Sequence, residues 1–191
     1  IAVCGDPEAR HGIVLTASYP AKRMGVKTGM PIWEAKQHCR DLIIVPASFG
    51  KYQKYSGYVR EVFNDYTDQV ESFGLDEAWL DITGSVGLFG SPVKIAKEIS
   101  VRIKRELGIT VSIGVSFNKI TAKLGSDYKK PDAITVIEPD TYKQIVYPLP
   151  VGDLLYVGNA TQRKLGSYGI RTIGQLAETN PEVLKGWFGV M

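Results

Sequence analysis

Asp76 and Glu77 are adjacent carboxylates that follow Gly74 and open the apolar run Ala78-Trp79-Leu80-Asp81-Ile82-Thr83. Two hard oxygen donors side by side suit Mg²⁺, which keeps several waters and takes substrate phosphates as further ligands. The same pair also reads as two surface charges in a turn, and the pair alone does not separate the two readings. Lysines and arginines gather at Lys22, Arg23 and Lys27 and again at Lys119, Lys123 and Lys130. As bare residues these read as solvated charge.

Neighbouring side chains on a regular strand point to opposite faces, so Asp76 and Glu77 share a site only where the backbone bends. Gly74 permits that bend, and the pattern predicts a tight hairpin between strands 69–73 and 77–83, half buried or more. Ahead of it, Tyr52, Tyr55, Val59, Val62 and Tyr66 repeat at three and four, which predicts a helix over 48–67 with that stripe as core. Beyond the hairpin, Ser91 and Pro92 read as the cap and first residue of a helix. Its buried face is Val93, Ala96, Ile99, Ile103 and Leu107, and Gly108 stops it. Residues 109–116 alternate as a strand with Ile109, Val111, Ile113 and Val115 on one side. Asn118 caps a helix over 119–129 that sets Lys119, Lys123, Ser126 and Lys130 on one face, and a strand follows at 133–137. The predicted class is α+β, with helices on one face of a sheet.

Residues 1–47 read as a small mixed unit. Strands 1–3 and 12–16 flank the turn Cys4-Gly5-Asp6-Pro7, and a helix over 18–24 ends at Gly25. Pro31 suits the first position of a second helix, with Ile32, Ala35 and Cys39 as its apolar face. Leu42-Ile43-Ile44-Val45 reads as a buried strand ending at Pro46. With 191 residues the chain has room for one large or two small domains. No run approaches the ~18 apolar residues of a membrane span, and no signal peptide is visible. The start at Ile1, inside an apolar run, reads as the interior of a longer chain. Cys4 and Cys39 lack disulfide-framework and zinc spacing, which implies reduced thiols in a reducing compartment. His11 and His38 have no companion ligands and read as surface or packing residues. A net charge of +3 is weak evidence for a nucleic-acid partner, because distribution counts for more than total.

Phe73-Gly74-Leu75-Asp76-Glu77-Ala78-Trp79-Leu80-Asp81 resembles the carboxylate segment of Y-family (DinB/UmuC-like, DNA polymerase IV type) translesion DNA polymerases. A second block, Ser112-Ile113-Gly114 through Asn118-Lys119, Ala122-Lys123 and Lys130-Pro131, is similar to that family as well. A third, Ala17-Ser18-Tyr19-Pro20-Ala21-Lys22-Arg23 onward to Pro31, resembles its nucleotide-gripping fingers. The resemblance implies a polymerase palm on a ferredoxin-like sheet, with fingers at 1–47, palm at 48–137 and a partial helical thumb at 138–191. It implies that Asp76 and Glu77 are catalytic and ligate two Mg²⁺ ions. Thr16, Tyr19, Lys22 and Lys130 would then contact the incoming deoxynucleoside triphosphate, with Asp127 beside that site. Tyr19 as a packed aromatic fits the sequence equally well.

Pro148 and Pro150 mark a joint, after which Gly152-Asp153-Leu154-Leu155 and Val157 to Thr161 resemble a helix-hairpin-helix. Such a hairpin holds a DNA phosphate on backbone amides, here at Gly158, Asn159, Ala160 and Thr161. Tyr156 stands where the first hairpin glycine often is, which makes Gly158 the better contact. The implied activity is template-directed DNA synthesis of the damage-bypass, DNA-repair type. The implied partners are primer-template DNA, deoxynucleoside triphosphates and a sliding clamp, with no membrane and a cytoplasmic location. A third carboxylate and a little-finger domain are expected outside residues 1–191, and the stretch alone is expected to be inactive. The competing reading is a catalytically inactive Y-family relative that serves as a DNA-binding or scaffold subunit. The presence of Asp76 and Glu77 argues against it.

Overall fold

A computed structural model describes residues 1–5 and 12–189 of the chain. His11 and the Asp6-Pro7 half of the first expected turn lie outside the described residues. The chain divides into two units, Ile1–Tyr55 and a second that begins at Ser56.

In the first unit, β1 (Ala2–Cys4) pairs antiparallel with β2 (Val14–Ala17). Two short helices follow, α1 (Tyr19–Arg23) and α2 (Ile32–His38), before β3 (Ile44–Pro46) joins the other edge of β1 in parallel. The core is built from small side chains: Ala2, Cys4, Val14, Ala17, Ala21, Val26, Ala35 and Leu42. Small residues let the two helices lie close on the three strands. Gly25, at φ +96°, ends α1 as expected. Pro31 caps α2 instead of opening it. The strand expected to be buried at 42–45 is an edge strand. Leu42 is buried and Ile44 packs on the core, but Ile43 and Val45 alternate outward and are exposed.

The helix α3 (Phe49–Asn64) crosses the boundary between the units. Its expected apolar stripe is core only from Val59 onward. Val62 is buried and Tyr66, just past the helix end, is buried too. Phe49, Tyr52 and Tyr55 are exposed. At the helix start the Tyr52 hydroxyl accepts the Ser48 N–H at 3.1 Å, and the Tyr52 ring meets the Phe49 ring edge-on.

The hairpin forms as β4 (Val70–Phe73) and β5 (Glu77–Leu80). Its second strand stops three residues early, because the Asp81 carboxylate accepts the Thr83 N–H at 2.9 Å and turns the chain. Hydrogen bonding from the Thr83 side chain, and then from its backbone N–H, holds the Asp81 carboxyl below its usual range. A 3-10 turn (Thr83–Ser85) and α4 (Val86–Phe89) follow. Next is α5 (Pro92–Leu107), capped by the Ser91 hydroxyl and closed by Gly108 in the left-handed conformation. Its buried stripe is Ile95, Ala96, Ile99 and Ile103; Val93 is only partly buried, and Ile95 was not on the expected face. The stripe packs with Val62, Tyr66, Leu80, Ile82, Val111 and Ile113.

Residues β6 (Ile113–Ser116), α6 (Lys119–Tyr128) and β7 (Ile134–Ile137) form a βαβ unit with the two strands parallel. The strand expected over 109–116 is limited to the four residues that pair with β7, and Ile109 is exposed. Among the described residues the hairpin and the βαβ pair are separate two-stranded ladders, not one continuous sheet. Asn118 caps α6 as expected, its side-chain oxygen accepting the Thr121 N–H at 2.9 Å. Then come α7 (Tyr142–Val146), a 3-10 turn (Val151–Asp153), α8 (Asn159–Ser167), α9 (Ile173–Ala177) and α10 (Pro181–Phe188). Leu124, Ile137, Val146 and Ile173 share one core; Val151, Leu165 and Ile170 share the next. No helix among the described residues is long and apolar enough to cross a membrane.

One contact fixes α6. A Cβ on Gly114 of β6 would lie 1.8 Å from the Ala122 carbonyl oxygen. Helix backbone therefore lies directly on strand backbone, and no side chain fits between them. Gly114→Ala is expected to destabilise the fold by about 3 kcal/mol or to displace α6. Gly57→Ala, in the open interior of α3, is expected to stabilise by about 0.5–1 kcal/mol. Thermal melts of the two variants check the pair, and equal shifts would contradict this account.

Candidate active site

Gly74 has φ +71°, and Gly74-Leu75-Asp76 form a three-residue turn between the opposed residues Phe73 and Glu77. Asp76 is therefore an exposed turn residue, and Glu77 is the half-buried first residue of β5. The bend expected at Gly74 is present, and it sets Asp76 at the end of the turn and Glu77 at the start of the strand. Residues opposed across an antiparallel ladder share a face. Phe73, Glu77, Glu71 and Trp79 lie on one side, with Val70 and Leu80 on the other, where Leu80 enters the core.

The first side meets α6. The Trp79 indole N–H donates to the Lys119 carbonyl at 3.1 Å. The Lys119 ammonium pairs with Glu71 and sits 5.6 Å from the Trp79 ring centroid. One turn further along α6, the Lys123 ammonium lies 2.5 Å from Glu77 Oε1. The lysine face that the sequence left as solvated charge is thus the surface that docks the hairpin. Lys123 is the residue sequence reasoning missed. Its four-residue spacing from Lys119 was visible, but the partner is 46 positions away in sequence.

Lys123 also reaches Asp127 Oδ2 at 3.1 Å, and Asp127 Oδ1 takes the Lys130 ammonium at 2.5 Å. Burial works against the charge on Asp127, but hydrogen bonds from Lys130 and Lys123 outweigh it and hold the carboxyl below its usual range. Burial likewise works against the charge on Lys123. Its bonds to Glu77 and Asp127 prevail and raise it above the ordinary lysine value. Both residues are held in their charged forms.

A second clamp comes from α3. The Arg60 guanidinium donates to the Gly74 carbonyl at 2.8 Å, to the Ser72 hydroxyl, and to the Ser56 hydroxyl at 3.3 Å. It ties the carboxylate turn to a helix that is anchored in the core at Val62.

In the first unit Thr16, Tyr19 and Lys22 are all exposed, around the end of β2 and the start of α1. The Lys22 ammonium lies 5.3 Å from the Tyr19 ring centroid. Tyr19 is not a core aromatic. Lys130 lies in the second unit, so the four expected nucleotide contacts are split two ways along the chain.

At the helix-hairpin-helix segment, Gly158 is the N-cap of α8 and makes no side-chain cap. The first-turn amides of a helix have no partner within it, here those of Asn159, Ala160 and Thr161. Tyr156 has φ +70°, the left-handed conformation a glycine would adopt at no cost, and its side chain is 82% exposed. The hairpin backbone therefore has the expected bend with a tyrosine in place of glycine.

Among the described residues no cluster of three or more His, Cys, Asp or Glu gathers around a common point. Asp76 and Glu77 offer two hard oxygen donors in adjacent positions. That set fits Mg²⁺, which draws its remaining ligands from water and phosphate.

A hairpin bearing paired acids packs against a βαβ unit, and solved structures of Y-family DNA polymerases share this fold. The crystal structure of DinB from Sulfolobus solfataricus matches 98% of this chain with a TM-score of 0.88 at 32% identity, over 55% of its own length. The chain belongs to the impB/mucB/samB family, whose profile matches residues 1–127. It is 55% identical over 184 residues to DNA polymerase IV of Acetivibrio thermocellus and 42% identical over 190 residues to DNA polymerase IV 1 of Bacillus subtilis. These alignments cover 96% and 100% of this chain and 46% of each relative, so the chain spans about half the length of both.

Arg60→Ala is expected to loosen the turn end of the hairpin and leave its far end unchanged. Amide hydrogen exchange at Phe73 and Glu77 should quicken about 5-fold, the scale of one lost charged hydrogen bond at a half-exposed site. Exchange at Val70 and Leu80 should hold. Uniform acceleration along both strands would contradict a local clamp.

Proposed function

We propose that the protein is a template-directed DNA polymerase of the translesion type. It would add deoxynucleotides to a primer 3′-OH and release pyrophosphate. The observation that carries this reading is the turn-borne Asp76 beside Glu77, on a hairpin docked to α6, in a chain 55% identical to a DNA polymerase IV. In this reading residues 1–47 are fingers, 48–137 the palm and 138–191 a partial thumb.

Asp76 and Glu77 would hold two Mg²⁺ ions. When bound, such ions supply Lewis acidity at the attacking and leaving oxygens of an in-line displacement. The chain's own residues position and neutralise. Arg60 and Lys123 hold the carboxylate turn from two sides, so the acids need little reorganisation during the reaction. Lys130 in the second unit, and Thr16, Tyr19 and Lys22 in the first, would each contact the triphosphate. Lys22 offers a point charge, not a bidentate fork. The amides at Gly158, Asn159, Ala160 and Thr161 would hold a DNA phosphate without reading bases, which suits an enzyme that accepts any template.

In the complete protein, Asp76→Ala or Glu77→Ala should lower the rate of primer extension by at least ~10³-fold, the scale of losing a preorganised charge at the reacting centre. Primer-template affinity should stay within ~2-fold, because these acids serve the transition state more than docking. Extension near the wild-type rate at saturating Mg²⁺ would remove the metal assignment.

Lys22→Ala and Lys130→Ala should each raise the nucleotide KM by ~10-fold or more, as expected for the loss of a charge-assisted phosphate contact. Steady-state kinetics with a single correct nucleotide checks this. An unchanged KM for either variant would take that lysine off the triphosphate.

A further inference from the structure

Four charges form an alternating chain across the candidate site: Glu77, Lys123, Asp127 and Lys130. Each neighbouring pair is in direct contact, at 2.5, 3.1 and 2.5 Å in that order. The chain sums to zero formal charge. Lys123 is its least exposed member, with a side chain 16% accessible against 33% for Glu77 and more for the other two. An ammonium so enclosed, between two carboxylates on different elements, is not a solvated surface lysine.

The order of the chain couples its two ends. A polyphosphate that engages Lys130 competes with Asp127 for that ammonium. Among the described residues Asp127 then keeps one cationic partner, Lys123, and draws it more strongly. A divalent cation at Glu77 competes with Lys123 for the Glu77 oxygen. Anything that draws Lys123 toward Asp127 therefore favours the cation at Glu77, and the converse holds by linkage.

We propose that Lys123 is a resident counter-ion and positioning residue for Glu77. Through Asp127 it links phosphate capture at Lys130 to the availability of Glu77 for a divalent cation. This rests on the proposed roles of Glu77 as a cation ligand and Lys130 as a phosphate contact. Lys123 itself touches neither reacting atom. It acts through the carboxylate it holds.

The test is a Mn²⁺ titration of the complete, nucleotide-free protein, followed by the electron-paramagnetic signal of free Mn²⁺. Lys123→Met keeps the aliphatic stem and removes the competing charge, and it should tighten Mn²⁺ binding by ~5- to 10-fold. Lys123→Arg should restore the wild-type affinity. Lys130→Met imitates loss of Lys130 to a phosphate and should tighten binding by ~3-fold. Lys119→Met removes an equal charge from the same helix but from outside the chain, and should stay within ~2-fold.

Lys123→Met that binds Mn²⁺ no more tightly than wild type, with an unchanged melting temperature, would overturn the proposal. If that variant does not fold, the comparison of Lys130→Met with Lys119→Met decides, since both side chains are largely exposed. Equal effects there would reduce the chain to general electrostatics and overturn the coupling. Glu77→Gln is the separate arm for the underlying site. Wild-type Mn²⁺ affinity in that variant would overturn the ligand assignment whatever Lys123 does.

Discussion

The backbone contact between Gly114 and α6 is the constraint on which the site depends. A Cβ at Gly114 would fall 1.8 Å from the Ala122 carbonyl oxygen, and one at Gly125 would come within 3.1 Å of the Gly114 Cα. With no side chain between them, helix and strand meet at the shortest separation that their backbones permit. That closeness fixes the height and rotation of α6. The rotation buries Thr121, Leu124 and Gly125 and turns Lys119 and Lys123 toward the hairpin.

Docking between hairpin and α6 combines contacts of unequal weight. The pair between Lys119 and Glu71 is more than half exposed on both sides, and pairs of that kind contribute little to stability. The Trp79 indole bond to a helix carbonyl is more directional, and the part-buried Lys123–Glu77 pair is less screened. Breaking such an enclosed pair by removing one partner leaves a poorly solvated charge. Arg60 adds a tether from the other side of the turn. The carboxylate turn is thereby held by two elements distant in sequence, which supplies the rigidity that a loop site otherwise lacks.

The hairpin before α8 shows the reverse relation between residue type and backbone. Tyr156 adopts a left-handed φ of +70°, which costs a non-glycine residue free energy, and its ring gains no burial in return. The surrounding fold must impose that conformation. Val157 and Leu154 on either side pack on the core that Leu165 and Ile170 also share. The bend is set by that packing and not by the residue at its apex.

Local chemistry was legible in the sequence wherever it is decided by neighbours along the chain. Gly74 announced the turn between the hairpin strands, and Asn118, Ser91 and Gly108 announced helix ends, because capping and left-handed turns depend on a few adjacent residues. The blocks around Asp76-Glu77 and Asn118 to Pro131 were enough to show the family. Packing over longer separations decided the rest. The outer half of the Tyr52–Tyr66 stripe is exposed and Ile95 is buried, because helical periodicity fixes a face but not which part of it meets a neighbour. Strand 109–116 shortened to the residues that found a partner in β7. The assignment of Lys123 changed most. Spacing placed it on a charged helix face, and only the close seat of α6 on Gly114 brought that face within 2.5 Å of Glu77. A charge's role depends on what opposes it in space, and that opposition is created by folding.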